Sequence, residues 1–218
     1  KSNRYVGINI DDPSYQLHVG GAVAASSHPT VSDKRIKSNI VDVPDNLSLQ
    51  TLRNINCVYY DYIDKKERGN GKTIGFIAQQ VKEVMPMAVD NSNSYIIPNE
   101  MRKLTDYSWN EYKDIINDTQ INDLESKIRY KLTINDLNDP SGNQLYKFYV
   151  SNDLSGNESS EIKCDSLKDE PNSFIFDNSW NYIYLYGKQV DDFNYLDKSK
   201  LFALNFSATQ EIDRIQQE

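Results

Sequence analysis

The sequence predicts an α+β fold with a small mixed core, an inserted β subdomain and a long C-terminal helix, and three observations point there. The chain has 15 Tyr, 7 Phe and 2 Trp among 218 residues, although only 38% of it is hydrophobic. That much aromatic surface folds, but around a thin core. There are 23 Asn against 7 Ala, a bias against long autonomous helices because Ala leads the helix scale and Asn sits low on it. The exception is the C-terminus, where no Gly or Pro occurs from Lys198 onward. There Leu201, Leu204, Ala208, Ile212 and Ile215 recur at helical spacing, a seam that a bundle or coiled coil would bury.

Taken in order, residues 1–31 read as strand, turn, strand, turn. Tyr5–Ile10 and Tyr15–Val19 are the strands, with Asp11-Asp12-Pro13-Ser14 and Gly20-Gly21 between and after them. So small a unit cannot bury a core alone and needs further copies, upstream or in neighbouring chains. His28-Pro29 is extended by the pre-proline restriction. A short helix is expected over Asp45–Ile55, capped by Asp45, with Leu47, Leu49, Leu52 and Ile55 inward. Asn56–Tyr62 and Lys72–Phe76 make a strand pair across Gly69-Asn70-Gly71. Ile77, Val81 and Val84 then form one stripe of a helix that Pro86 ends. Residues 90–190 form the β-rich insertion, with strand-like runs at 128–134, 145–150, 173–176 and 180–186. Turns are expected at Pro140-Ser141-Gly142-Asn143 and Ser155-Gly156-Asn157.

Composition also excludes function classes. A net charge of −8 argues against nucleic acid, whose binders cluster Lys and Arg to release counterions. No apolar run reaches the ~18–20 residues of a membrane span, and Lys1-Ser2-Asn3-Arg4 is not followed by the apolar stretch of a signal peptide. Lys1 in place of an initiator Met suggests a piece of a longer chain. Cys57 and Cys164 lie in no metal spacing and are expected as buried free thiols. Phosphate loops, dinucleotide fingerprints, zinc-helix motifs and nucleophile elbows are absent, and with only His18 and His28 there is little material for triads. Neither metal nor cofactor is expected. Asp191-Asp192 reads as a solvated surface pair.

Ser32 and Lys37 remain. A lysine stripped of water loses its charge more readily, and the neutral amine can take a serine's proton. Spacing alone says little here. Five residues place two side chains on opposite faces of a strand, and ~500° apart on a helix. A bend or another chain is required to bring them together.

The surrounding residues carry a resemblance. Ser32-Asp33-Lys34-Arg35-Ile36-Lys37-Ser38-Asn39-Ile40 resembles the signature that opens the intramolecular chaperone domains of phage and large-virus tail spikes and fibres, the endosialidase-type S74 peptidases. Ile74–Pro86 is similar to that family's Gly-Phe-Ile-Ala-Gln-Gln-Val segment, and Leu201-Phe202-Ala203-Leu204 with Ala208–Ile212 to its closing helix. The long stretch 90–190 is more like versions in large DNA viruses. The resemblance implies that 1–31 is the end of an upstream fibre, the client, and that 32–218 is a chaperone and autoprotease. It implies Ser32 as nucleophile, Lys37 as general base, Val31–Ser32 as the scissile bond, and Asp33, Arg35 and Asn39 in support. It also implies an intertwined homotrimer clamped by the helix at about 198–218. Such a protein is virus-encoded and works in the host cell during assembly, leaving the mature fibre on the virion once the chaperone is released. The other class of reading is a non-cleaving trimerisation cap or receptor-binding tip.

Overall fold

The computed structural model describes residues 5–9, 16–21, 23–27, 31–92, 94–113, 128–137 and 142–218. The chain divides into two compact units, Lys1–Asn54 with Ser199–Glu218, and Ile55–Lys198.

In the first unit, β1 (Val6–Ile8) pairs with β2 (Leu17–Val19) in parallel, Val6 opposite Leu17 and Ile8 opposite Val19. A 3-10 turn covers Lys34–Ile36, and α1 spans Asp45–Arg53. The expected inward face of α1 is corrected in part. Ser48 and Leu49 are buried, while Leu47 points to solvent. The helix starts at Asp45 as expected but ends at Arg53, and its N-cap is Pro44: Asp45 lies inside the first turn, where it accepts the Ser207 hydroxyl at 2.5 Å.

The second unit begins with β3 (Val58–Tyr60), α2 (Lys65–Arg68), β4 (Thr73–Gly75) and α3 (Ala78–Val84). As expected, β3 and β4 pair antiparallel. Val81 is the sealed residue of α3, which gives way to a 3-10 turn opened by Pro86. Strands follow: β5 (Val89–Ser92), β6 (Tyr95–Ile96), β7 (Arg102–Lys103), β8 (Tyr107–Tyr112), β9 (Arg129–Ile134) and β10 (Leu145–Ser151). The last are β11 (Ser160–Asp165), β12 (Ser173–Phe176), β13 (Tyr182–Val190) and β14 (Phe193–Leu196). One sheet runs β11-β10-β13-β6 with β7 also on β13, a second runs β12-β9-β8, and β5 pairs with β14.

Period-two alternation builds the core. Tyr146, Phe148 and Val150 of β10 point inward with Leu132 and Ile134 of β9, Phe174 and Phe176 of β12, and Ile183 and Leu185 of β13. The aromatic rings meet edge to face, Phe148 with Phe174 at 5.0 Å and with Phe176 at 5.4 Å. That arrangement suits the ring quadrupole and adds roughly 0.5–1.5 kcal/mol per pair beyond area burial. Gly187 continues β13 past the expected end because a Cβ there would collide with the Ile97 carbonyl.

Both cysteines are free, but only Cys164 is shielded: burial raises its thiol pKa, and it donates to the Ile175 carbonyl at 3.3 Å. Cys57 corrects the expectation of burial. Alternation along the two-stranded β3–β4 hairpin turns it outward with Tyr59. The closing helix, α4, spans Lys198–Gln216. The turns expected at 11–14 and 140–141, and extended 28–30, lie outside the described residues.

Candidate functional site: a serine–lysine contact across a 3-10 turn

The bend that a Ser32–Lys37 contact requires is built by the residues between them. Asp33 is the N-cap of the 3-10 turn, its Oδ1 accepting the Arg35 backbone N–H at 2.8 Å. Ile36 N–H and Lys37 N–H then donate to the carbonyls of Asp33 and Lys34 at 3.2 and 3.1 Å. Three residues per turn is tighter than an α-helix, so the chain doubles back within Lys34–Ile36 and leaves Lys37 extended, with φ −116°. The result is that Lys37 Nζ donates to Ser32 Oγ at 2.6 Å.

Asp33 and Arg35 lock this turn. The guanidinium donates twice, Nε to Oδ1 at 3.0 Å and an Nη to Oδ2 at 2.8 Å, the fork geometry that favours arginine over lysine. The arginine's hydrogen bonds hold the Asp33 carboxyl below its ordinary value, and Asp33 in turn raises Arg35. Asn39 sits at φ 53°, in the left-handed region that Asn tolerates better than most residues. The chain bends at this residue, two positions beyond Lys37.

Every residue from Val31 to Val43 is exposed. The Ser32–Lys37 contact is thus made in a solvent-exposed loop. To act as a base, Lys37 must lose its ammonium proton, which requires the solvent to be excluded.

On α4, Leu201, Leu204 and Ala208 are buried, whereas Ile212 and Ile215 remain exposed. Ser207 and Glu211 complete the buried face, Glu211 held by Arg214 at 2.8 Å. Phe202 and Phe206, on the opposite side of the helix, are exposed. That second apolar face was in plain view in the sequence, yet the regular seam drew attention from it. In the other unit, buried Asp64 caps α2 by accepting the Glu67 amide at 3.1 Å and also accepts the Tyr186 hydroxyl at 3.0 Å. No sequence pattern links residues so far apart. Asp191 and Asp192 are exposed. Among the described residues no cluster of His, Cys, Asp and Glu could hold a metal ion, and no helix is long and apolar enough to cross a membrane.

Comparison with known proteins agrees with the geometry. Residues 32–90, which begin at Ser32, match the peptidase S74 family, described as "Chaperone of endosialidase". An uncharacterized protein VP1 of a Micromonas pusilla reovirus is 29% identical over 84% of this chain and 11% of its own length, and it supports a viral origin. A myelin gene regulatory factor-like A protein of Dictyostelium discoideum is 32% identical over 40% of the chain and 10% of its own length. An uncharacterized membrane protein of the same organism is 38% identical over 40% of the chain and 6% of its own length. The chain therefore spans about a tenth or less of these relatives. The segment that carries Ser32 and Lys37, residues 32–90, is thus the part of the chain that matches the chaperone-of-endosialidase family, peptidase S74.

Proposed function

We propose that residues 32–218 are an intramolecular chaperone that assembles as a homotrimer, holds an upstream fibre segment in register while it folds, and then cuts itself free at Val31–Ser32. The observation that carries this reading is the 2.6 Å contact between Lys37 Nζ and Ser32 Oγ, inside the segment that matches the family.

The step balances within the chain. Neutral Lys37 takes the Ser32 hydroxyl proton as Oγ adds to the Val31 carbonyl carbon. Both reactants are tethered in adjacent residues, so the attack proceeds at high effective molarity. The C–N bond then breaks, and its nitrogen receives the proton from Lys37. This leaves a Val31–Ser32 ester and a free Ser32 amine. Water hydrolyses the ester to a Val31 carboxylate and the original hydroxyl. The chaperone leaves, and the fibre loses its route back to the unfolded state.

On a denaturing gel, wild-type protein should yield a fragment of 187 residues, the 218 less the first 31, while Ser32→Ala and Lys37→Ala keep full length. Hydroxylamine should trap the ester as a Val31 hydroxamate. Persistent full-length wild-type protein at neutral pH would favour the non-cleaving cap instead.

A further inference from the structure

Of the 23 asparagines in the chain, Asn70 alone is followed by glycine, and the fold leaves that pair unconstrained. Asn70 and Gly71 are exposed in the turn between α2 and β4, just outside the β3–β4 ladder, whose end pair is Tyr60 with Thr73. Gly69 closes α2 ahead of them at φ 87°, its N–H donating to the Lys65 carbonyl. A Cβ built on Gly71 would meet nothing within 4 Å, so the main chain there keeps the freedom that glycine allows.

Asparagines that precede serine, the next small residue, are held differently. In Asn91-Ser92 the serine pairs with Phe193 in the β5–β14 ladder, and the Asn91 amide oxygen accepts from Lys82 at 3.2 Å. In Asn172-Ser173 the serine N–H donates to the Glu170 carbonyl at 2.9 Å, and the Asn172 amide donates to the Ile134 carbonyl at 3.1 Å. Such bonds fix the side chain and the following nitrogen apart.

We infer that Asn70-Gly71 is a site of spontaneous modification, at which the asparagine closes on the next backbone nitrogen and opens again as aspartate or isoaspartate. A base from solvent takes the Gly71 amide proton, and the nitrogen adds to Asn70 Cγ. The Cγ–Nδ2 bond breaks, and the side-chain nitrogen leaves as ammonia, which carries the proton away. Water then opens the five-membered ring. Attack at Cγ gives aspartate, whereas attack at the main-chain carbonyl gives isoaspartate, with the chain continuing through Cγ. One water is consumed, one ammonia is released, and nothing is oxidised or reduced. Either product adds a negative charge to the net −8, and isoaspartate also lengthens the connection into β4 by one main-chain carbon. The change falls within residues 32–90, the segment that matches the family.

The full-length Ser32→Ala protein, kept folded at neutral pH for days, tests this. Trypsin, cutting after Arg68 and Lys72, isolates Gly69–Lys72 as one peptide, and digestion in heavy-oxygen water marks any conversion that occurs during digestion itself. The peptide should gain the mass of an amide-to-acid change and accept a methyl group from an isoaspartyl methyltransferase. Asn70→Gln, which would have to close a larger ring, should remove both signals. Gly71→Ala adds its Cβ to empty space, so the fold persists, and conversion should slow about tenfold, a barrier higher by roughly 1.4 kcal/mol. Folded protein that stays unmodified while the guanidinium-unfolded chain converts would overturn the inference, because the turn would then protect the pair. Isoaspartate that forms at an undiminished rate in Asn70→Gln would overturn it too, by placing the reaction elsewhere.

Discussion

Two stretches of this chain treat their apolar residues in opposite ways. In the β sheets, Leu132, Ile134, Phe148, Phe174 and Leu185 have no measurable exposure, and every one finds its neighbours within the same unit. Between Val31 and Val43, by contrast, Val31, Ile36, Ile40, Val41 and Val43 stand largely in solvent. The first region stabilises a protomer. The second carries the Ser32–Lys37 contact in the open, whereas the cleavage proposed above would need a drier surrounding for a neutral lysine.

Substitutions should divide along the same line, all measured by urea denaturation in the Ser32→Ala background. The largest effect is expected at Phe148, where truncation to Ala removes the ring shared by Phe174 and Phe176 and should cost about 3–5 kcal/mol. Tyr186→Phe comes next. It takes the hydroxyl from Asp64, which is only 6% exposed, and leaving a buried carboxylate short of a donor should cost about 1–3 kcal/mol. Val41→Ala should fall within about 0.5 kcal/mol in the isolated protomer. An equal loss at Val41 and Phe148 would erase the contrast between the regions.

The finest effect concerns pH. Asp33 has its carboxyl lowered by Arg35, so the support it lends the turn is present above the ordinary carboxylate pKa and disappears as pH falls through the lowered value. Asp33→Asn removes the charge and the second oxygen of the forked Arg35 contact at every pH, while keeping an Oδ1 that can still cap the turn. In that variant cleavage at neutral pH should drop by about tenfold, a loss of roughly 1.4 kcal/mol in transition-state stabilisation. Arg35→Lys, which cannot make the forked contact, should drop less. Single-turnover rates read both.

Much of the architecture was legible in the residues because the periods are strong. Ser173–Phe176 reads as a strand over the same residues that form β12, and the Gly- and Pro-free run from Lys198 becomes α4. Two of the strands that the sequence pattern did not mark, Tyr107–Tyr112 and Ser160–Asp165, are edges of their sheets. Glu161 and Lys163 point outward there, charges of the kind that keep sheet edges from aggregating. Leu47 was misjudged because a nine-residue helix offers too few turns to define a face, and small Ser48 took the inward place.

By itself the sequence determined the kind of fold and the family resemblance, and it singled out Ser32 and Lys37 as the pair to look at, since these depend on local period and motif. Only the tertiary structure decided that Ser32 and Lys37 touch, because the 3-10 turn set by Asp33, Arg35 and the backbone between them exists only in three dimensions. It also decided which apolar residues stay in water. Periodicity marks a surface as apolar, but how far the rest of the chain covers it depends on packing, and Phe202, Phe206 and Val41 stay mostly exposed.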